Sequence, residues 1–154
     1  LCLGTMLNEN FRDMLLALND AKVEYLVIGA YAIAAHGSPR ATGDIDFWVR
    51  ADKSNAERVW AALVAFGAPT SKISVDDFAA PEIVFQIGIP PQRIDIMTSI
   101  SGVDFDDAWP SRIEVEIEGI SVPVIGLKDL LVNKSASGRD KDLADLPTIK
   151  RLLG

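Results

Sequence analysis

The stretch Ser38–Arg50, SPRATGDIDFWVR, sets two aspartates one residue apart inside a run that otherwise reads as a buried strand. Asp44 and Asp46 flank Ile45, and Phe47, Trp48 and Val49 follow. Side chains alternate across a strand, so both carboxylates project from one face with their Cα atoms roughly 6.5–7 Å apart. Like charges so placed raise each other's pKa and weaken the fold unless something neutralises them. A divalent cation does so, because hard Mg²⁺ takes a few carboxylate oxygens and completes its shell with water and phosphate oxygens. Two such ions about 4 Å apart stabilise both the attacking and the leaving oxygen of a phosphoryl-type displacement. A site of this kind calls for a third acid from a neighbouring strand. Asp95 fits, as the lone acid of QRIDIMTS (Gln92–Ser99), bracketed by Ile94 and Ile96. For the D-x-D alone the plain alternative is a solvated strand face, but an acid between two isoleucines is not an ordinary surface pattern.

Upstream, VEYLVIG from Val23 is a short apolar run ending at Gly29, and YAIAAHG then reads as a helix of about two turns stopped by Gly37 and Pro39. A glycine and a small residue at such a strand-to-helix turn let backbone N–H groups approach a phosphate, aided by the helix dipole. Gly29 and Ala30 stand there, one short helix ahead of Asp44. Further out, Asn8–Asp20 carries Phe11, Met14, Leu15 and Leu18 at helical spacing, with Asn8 as N-cap. Ser54–Phe66 is an amphipathic helix ended by Gly67. Strands follow at Glu82–Gly88 and Gln92–Ser99 across an Ile89-Pro90-Pro91 turn. IEVEIEG (Ile113–Gly119) alternates apolar and acidic residues, as a strand with one wet face does. ISVPVIG is its hairpin partner, with Pro123 suggesting an edge position. The remainder is helical, LKDLLVNKSA and then RDKDLADLPTIKRLL, broken near Ser137-Gly138. This order predicts an α/β (α+β) fold, a mixed sheet flanked by helices with further helices at the C-terminus. A single domain over 1–154 is expected, its core at about 23–125 and its helical segment at about 126–154.

Composition narrows the function classes. Apolar residues at 49% and charged residues at 24% are ordinary for a globular protein and argue against disorder. A net charge of −7 argues against general coating of nucleic acid, which needs many cations, though a local basic patch remains compatible with one RNA end or a nucleotide. Cys2 is the only cysteine, so neither an internal disulfide nor a cysteine-based zinc site is expected. With no signal-peptide pattern and no apolar run of about 20 residues, a cytoplasmic location without membrane association is expected.

A glycine and small residue, a helix, D-I-D on a strand and a later lone aspartate together resemble the nucleotidyltransferases of the DNA polymerase β superfamily. The R-A-T-G-D-I-D wording (Arg40–Asp46) is similar to its small bacterial members, the minimal nucleotidyltransferases and AbiEii-like toxins. The resemblance is specific over Tyr25–Met97 and looser in the C-terminal helices. It implies transfer of a nucleoside monophosphate from an NTP to a hydroxyl acceptor, with release of pyrophosphate. Carried over by position, Gly29 and Ala30 would bind NTP phosphates, and Asp44, Asp46 and Asp95 would hold two Mg²⁺ (or Mn²⁺) ions. Asp95 is then the natural general base. Ala30 departs from the pattern, standing where serine or a second glycine is usual, so the N–H is kept and a hydroxyl contact is lost.

Other residues join by the same route. Arg40 and Thr42 fall in an R-x-T/S-x-D run, where the arginine would pair with phosphate or brace the aspartates. In GLKDLLVNKSASGRDKDLADL the resemblance assigns a lysine and an aspartate to the nucleotide site, best matched by Lys134 and Asp142; the plain alternative is a mixed-charge helix face with i,i+4 pairs such as Lys141 with Asp145. His36 reads as a packed or capping histidine rather than a catalytic one. Trp48, Trp60 and Trp109 read as packing residues. The acceptor stays open among an RNA end such as tRNA, a protein and a small hydroxylated molecule. A toxin-type member would add an antitoxin partner. Two other functions compete: a non-catalytic nucleotide- or partner-binding module of the same fold, favoured by Ala30, and a nucleotide-sugar glycosyltransferase, disfavoured by the short chain.

Overall fold

Asn8 accepts a hydrogen bond from the Phe11 amide at 2.9 Å and starts the first helix, as its short oxygen-bearing side chain suits. From there the computed structural model, which describes residues 7–40 and 42–154, runs through seven helices and six strands; Cys2 lies outside the described residues. The order is α1 (Glu9–Asp20), β1 (Tyr25–Ile28), α2 (Gly29–Ala35), β2 (Asp44–Val49), α3 (Lys53–Phe66), β3 (Val84–Ile87), β4 (Arg93–Met97), α4 (Phe105–Ala108), β5 (Ile113–Ile117), β6 (Ile120–Val124), α5 (Leu127–Ser137), α6 (Asp140–Leu143) and α7 (Leu146–Leu153). Gly67 ends α3 and Gly138 ends α5 in left-handed conformations, at φ 87° and 66°, where a glycine carries no Cβ penalty.

The strands form one mixed sheet in the order β3-β4-β2-β1-β6-β5. Within it β2 and β4 pair in parallel, with Asp46 opposite Asp95 and Asp44 opposite Arg93. Alternation divides β2 between two faces. Phe47 and Val49 pair with Val27 and Tyr25 on one face, where the Tyr25 hydroxyl donates to Asn19 of α1 at 2.8 Å and α1 packs against α3. Phe11, Met14, Leu15, Leu18, Val59 and Leu63 are buried there. Asp44, Asp46 and Trp48 share the other face, and residues of α5 and α6 line the cleft over its two aspartates. In β5, Glu114 and Glu116 are exposed and Val115 and Ile117 buried, which is the one-wet-face pattern.

Two expectations need correction. Pro123 does not mark an edge: β6 lies between β1 and β5, and β5 is the edge strand. The parallel rung to β1 joins Val27 and Val124, with the Ile125 amide donating to Val27 O at 3.1 Å, so the ladder starts beyond the residue that lacks an N–H. The last helical stretch is also not continuous. It divides into α6 and α7 at Ala144-Asp145, two residues ahead of Pro147, which sits in the first turn of α7 as proline prefers. Three short elements went unread in the sequence: α4, a 3-10 turn at Val75–Ala79 closed by a Ser74–Asp77 capping box, and a second 3-10 turn at Trp109–Ser111.

Candidate active site

Adjacent strands in a parallel pair bring opposing side chains to the same face about 4.8 Å apart. Asp46 and Asp95 are therefore neighbours by register, and Asp44 joins them from one step along β2. Ligand oxygens of all three lie within 4.8 Å of one another. Asp95 is buried, and Asp44 and Asp46 are half-buried. Burial pushes the Asp46 carboxyl up to about 7, reinforced by the charges of Asp44 and Asp95 and by a hydrogen bond to Asp95 that only the protonated acid donates; Lys134 opposes the shift.

Three features hold this group in place. The Thr42 hydroxyl lies 3.1 Å from Asp44 O and 3.2 Å from Asp44 Oδ1, fixing the entry to β2. Gly29 adopts φ +71°, and a Cβ there would sit 2.4 Å from Asp46 Oδ2, so only glycine lets the turn into α2 lie against this carboxylate. Arg93 reaches in from β4, donating through Nη2 to Asp44 Oδ2 at 2.8 Å. Its Nε lies 3.2 Å from Asp95 Oδ1. The two are misaligned, however, and both atoms are buried without a hydrogen-bond partner. The charge of Asp95, then the bond to Asp44, push the Arg93 pKa further up.

A second charged group faces the same space. Lys134 of α5 is buried and donates to Asp142 Oδ1 at 3.2 Å and Asp145 Oδ2 at 2.9 Å. Arg40 forks onto Asp145 at 2.7 and 3.2 Å. Arg139 Nε donates to Asp142 Oδ2 at 2.7 Å, and the Ser137 hydroxyl joins the same oxygen. Burial pushes the Asp142 carboxyl up, but these hydrogen bonds outweigh it and hold it down at about 2; Asp145 is lowered by the same balance, with Arg40 and Lys134 as donors.

An open cleft of about 790 Å³ joins the two groups, and Gly29, Ala30, Arg40, Thr42, Asp44, Asp46, Asp95, Lys134 and Asp142 all line it. Sequence reasoning missed Arg93, which reads there as an ordinary strand-start cation. The plain alternative names Lys141 as the neighbour of Asp145, whereas Arg40 and Lys134 hold it. His36 lies outside the cleft lining, with Nε2 2.7 Å from Ile125 O at the end of α2. Trp48 is buried edge-on to Phe105 at 5.0 Å, and Trp109 stacks on that phenylalanine at 5.4 Å. Trp60 is partly buried against the core.

The donor set suits a hard divalent ion. It is all oxygen, it clusters three acids, and one oxygen of Asp95 is buried without a partner. A mixed sheet carrying paired aspartates on one strand and a third on its parallel neighbour, beside a glycine turn, is the frame of a nucleotidyltransferase. The sequence profile of DUF6036, described as a nucleotidyltransferase of unknown function, matches residues 5–150, and the chain belongs to that family. No curated protein matches in sequence. Solved structures share the fold. The antibiotic-resistance factor ANT(2'')-Ia superposes with a TM-score of 0.63 at 14% identity, over 94% of this chain and 83% of that one. The lincosamide antibiotic adenylyltransferase LnuA, solved with lincomycin, gives 0.61 at 14% identity over 95% and 98%. An antigenic nucleotidyltransferase-like protein from Paracoccidioides brasiliensis gives 0.54 at 19% identity over 93% and 75%. Among the described residues no helix is long and apolar enough to cross a membrane.

Proposed function

We propose that this nucleotidyltransferase moves a nucleoside monophosphate from an NTP to a hydroxyl acceptor in a reaction that depends on Mg²⁺ or Mn²⁺. The observation that carries this reading is the gathering of Asp44, Asp46 and Asp95, one of whose oxygens is buried and unpartnered, at a cleft that also holds Arg40, Lys134 and Arg139. Asp44, Asp46 and Asp95 would hold the metal, which when bound supplies Lewis-acid stabilisation of the charge on the transferring phosphoryl group. Asp95 takes the acceptor proton as that hydroxyl attacks the α-phosphorus. The bond from the α-phosphorus to the bridging oxygen breaks, and pyrophosphate leaves with the electron pair.

The remaining cleft residues bind and orient. Backbone N–H groups of Gly29 and Ala30 and the cations Arg40 and Lys134 receive phosphate oxygens. Thr42 holds Asp44. Asp142, whose oxygens are taken by Ser137, Arg139 and Lys134, serves by placing Lys134. An intact carboxylate triad favours catalysis over a non-catalytic binding module, since binding nucleotide alone calls for metal ligands but not for a base to take an acceptor proton.

The test is incubation with each labelled NTP, Mg²⁺ and three acceptor pools: tRNA, protein and small hydroxylated compounds. Transfer with pyrophosphate release is expected. Absence of transfer, with a melting temperature unmoved by NTP and Mg²⁺, refutes the reading, and nucleotide binding by calorimetry without turnover supports the module instead. Label on tRNA, with growth arrest that Asp46→Asn abolishes, supports a cytoplasmic toxin with an antitoxin partner. Label on a small compound supports a modifying enzyme.

A further inference from the structure

One cation already reaches into the carboxylate triad. Arg93 stands two residues before Asp95 on β4 and directly across from Asp44 in the parallel register. Its Nη2 donates to Asp44 Oδ2 at 2.8 Å and, over a longer 3.4 Å, to Asp95 Oδ2. Its Nε comes within 3.2 Å of Asp95 Oδ1 without the alignment of a hydrogen bond. An arginine in a full ion pair fills its fork, as Arg40 does on Asp145 with two parallel bonds. Arg93 instead spans two carboxylates with one short bond and leaves a buried donor beside a buried, unpartnered acceptor. Buried side-chain polar atoms without a partner number three among the described residues, and two of them are this facing pair.

We propose that Arg93 is a resident counter-ion of the triad, which a divalent cation displaces from Asp44 and Asp95 and which the nucleotide's polyphosphate then receives. The inference rests on the reading of the triad as a metal site. A guanidinium stays charged at every working pH, so it competes for the same carboxylate oxygens and opposes metal binding in the nucleotide-free protein. A polyphosphate anion in the cleft removes that opposition by offering the displaced guanidinium a partner of equal sign to the one it lost. Metal and nucleotide therefore bind with positive coupling, each raising the affinity of the other by the same factor. In this scheme Arg93 is a positioning residue that gates the acids.

The experiment is Mn²⁺ binding, followed by electron paramagnetic resonance, to the wild type, Arg93→Gln and Arg93→Lys, with and without a non-hydrolysable NTP analogue. Without nucleotide, Arg93→Gln is expected to bind Mn²⁺ about tenfold tighter than the wild type. The analogue then adds less further tightening to the variant than to the wild type. Arg93→Lys keeps the charge and is expected to fall back toward wild-type affinity. Equal or weaker Mn²⁺ binding by Arg93→Gln overturns the counter-ion role while leaving the metal site standing. No Mn²⁺ binding by any of the proteins overturns the metal site and the counter-ion role together. Should Arg93→Gln fail to fold, ¹⁵N spectra of arginine Nε–H groups in the wild type decide the matter. Mg²⁺ alone must shift the resonance that Arg93→Lys lacks; a stationary resonance, while the Asp44 and Asp46 amides respond to Mg²⁺, overturns the proposal.

Discussion

Two acidic clusters face one cleft, and they are neutralised in opposite ways. Asp142 and Asp145 share three cations, Arg40, Lys134 and Arg139, and their oxygens are engaged in hydrogen bonds. Asp44, Asp46 and Asp95 share one guanidinium, and one oxygen of Asp95 has no partner. Asp142, Asp145 and Asp95 are buried and Asp44 and Asp46 half-buried, but the larger difference is in the supply of counter-charge. A satisfied cluster holds structure together, because each buried charge has its partner. An under-neutralised one stores unfavourable electrostatic energy that an incoming cation releases. The contrast supports the proposed division of labour, with scaffolding in one acidic group and ligand binding in the other, within one surface.

The sharpest way to break this contrast is to neutralise one acid in each cluster. On the proposed mechanism Asp95→Asn removes the acceptor of the hydroxyl proton and a metal ligand together, and transfer is expected to fall on the order of 10³-fold or more. Its fold should survive, since the substitution relieves repulsion among carboxylates. Steady-state transfer rates and thermal melts check both halves. Asp95→Asn retaining activity within a factor of about ten removes the triad from the reaction.

Next in size is Lys134→Met, in the satisfied cluster. Two buried carboxylates then lose their shared partner, and unfolding free energy is expected to drop by about 3 kcal/mol, near the low end for a broken buried pair because Arg40 and Arg139 remain. Denaturant titration measures it. A loss below about 1 kcal/mol makes this cluster a surface network after all, and erases the difference on which the comparison stands.

How much of this was legible beforehand follows from what is local. The period-2 placement of Asp44 and Asp46, the lone acid Asp95 and the turn at Gly29 are local patterns, and the structure brings all of them to one cleft. The β2–β4 pairing is not local: it joins residues some fifty positions apart, and nothing in RIDIM says that Arg93 will face Asp44. The partner of Asp145 was hidden for the same reason. Helical spacing offers Lys141 as a neighbour, while Arg40 comes from a loop more than a hundred residues away. Pro123 misled because its missing N–H forbids a ladder bond only at its own rung, and the pairing with β1 begins one residue later. Fold class and acids were thus written in periodicity, and counter-charges in topology.

The smallest effect is also the one that treats the two clusters as opposites in a single titration. Asp46 sits at about 7 in the folded protein against an ordinary carboxyl value of 3.8, so the native state holds its proton more tightly than the unfolded chain. Its contribution to stability is complete below about pH 4 and is lost as pH rises through 7. Asp142 sits at about 2, below the ordinary value, so its contribution is present above about pH 4 and disappears as pH falls through 2. Between pH 5 and 8, then, Asp142 is silent and Asp46 acts alone of the two. Metal-free wild type is expected to lose on the order of 2 kcal/mol across that window, a figure discounted for the partial exposure of the site. Asp46→Asn removes the titrating group, so its stability should stay flatter and exceed that of the wild type at pH 8. Added Mg²⁺ should restore the wild type at pH 8 and leave Asp46→Asn nearly unmoved. Chemical denaturation at four pH values, with and without Mg²⁺, gives all four curves. Parallel curves for wild type and variant from pH 5 to 8 would mean that the triad carries no unrelieved charge, and the distinction between the two clusters would then rest on geometry alone.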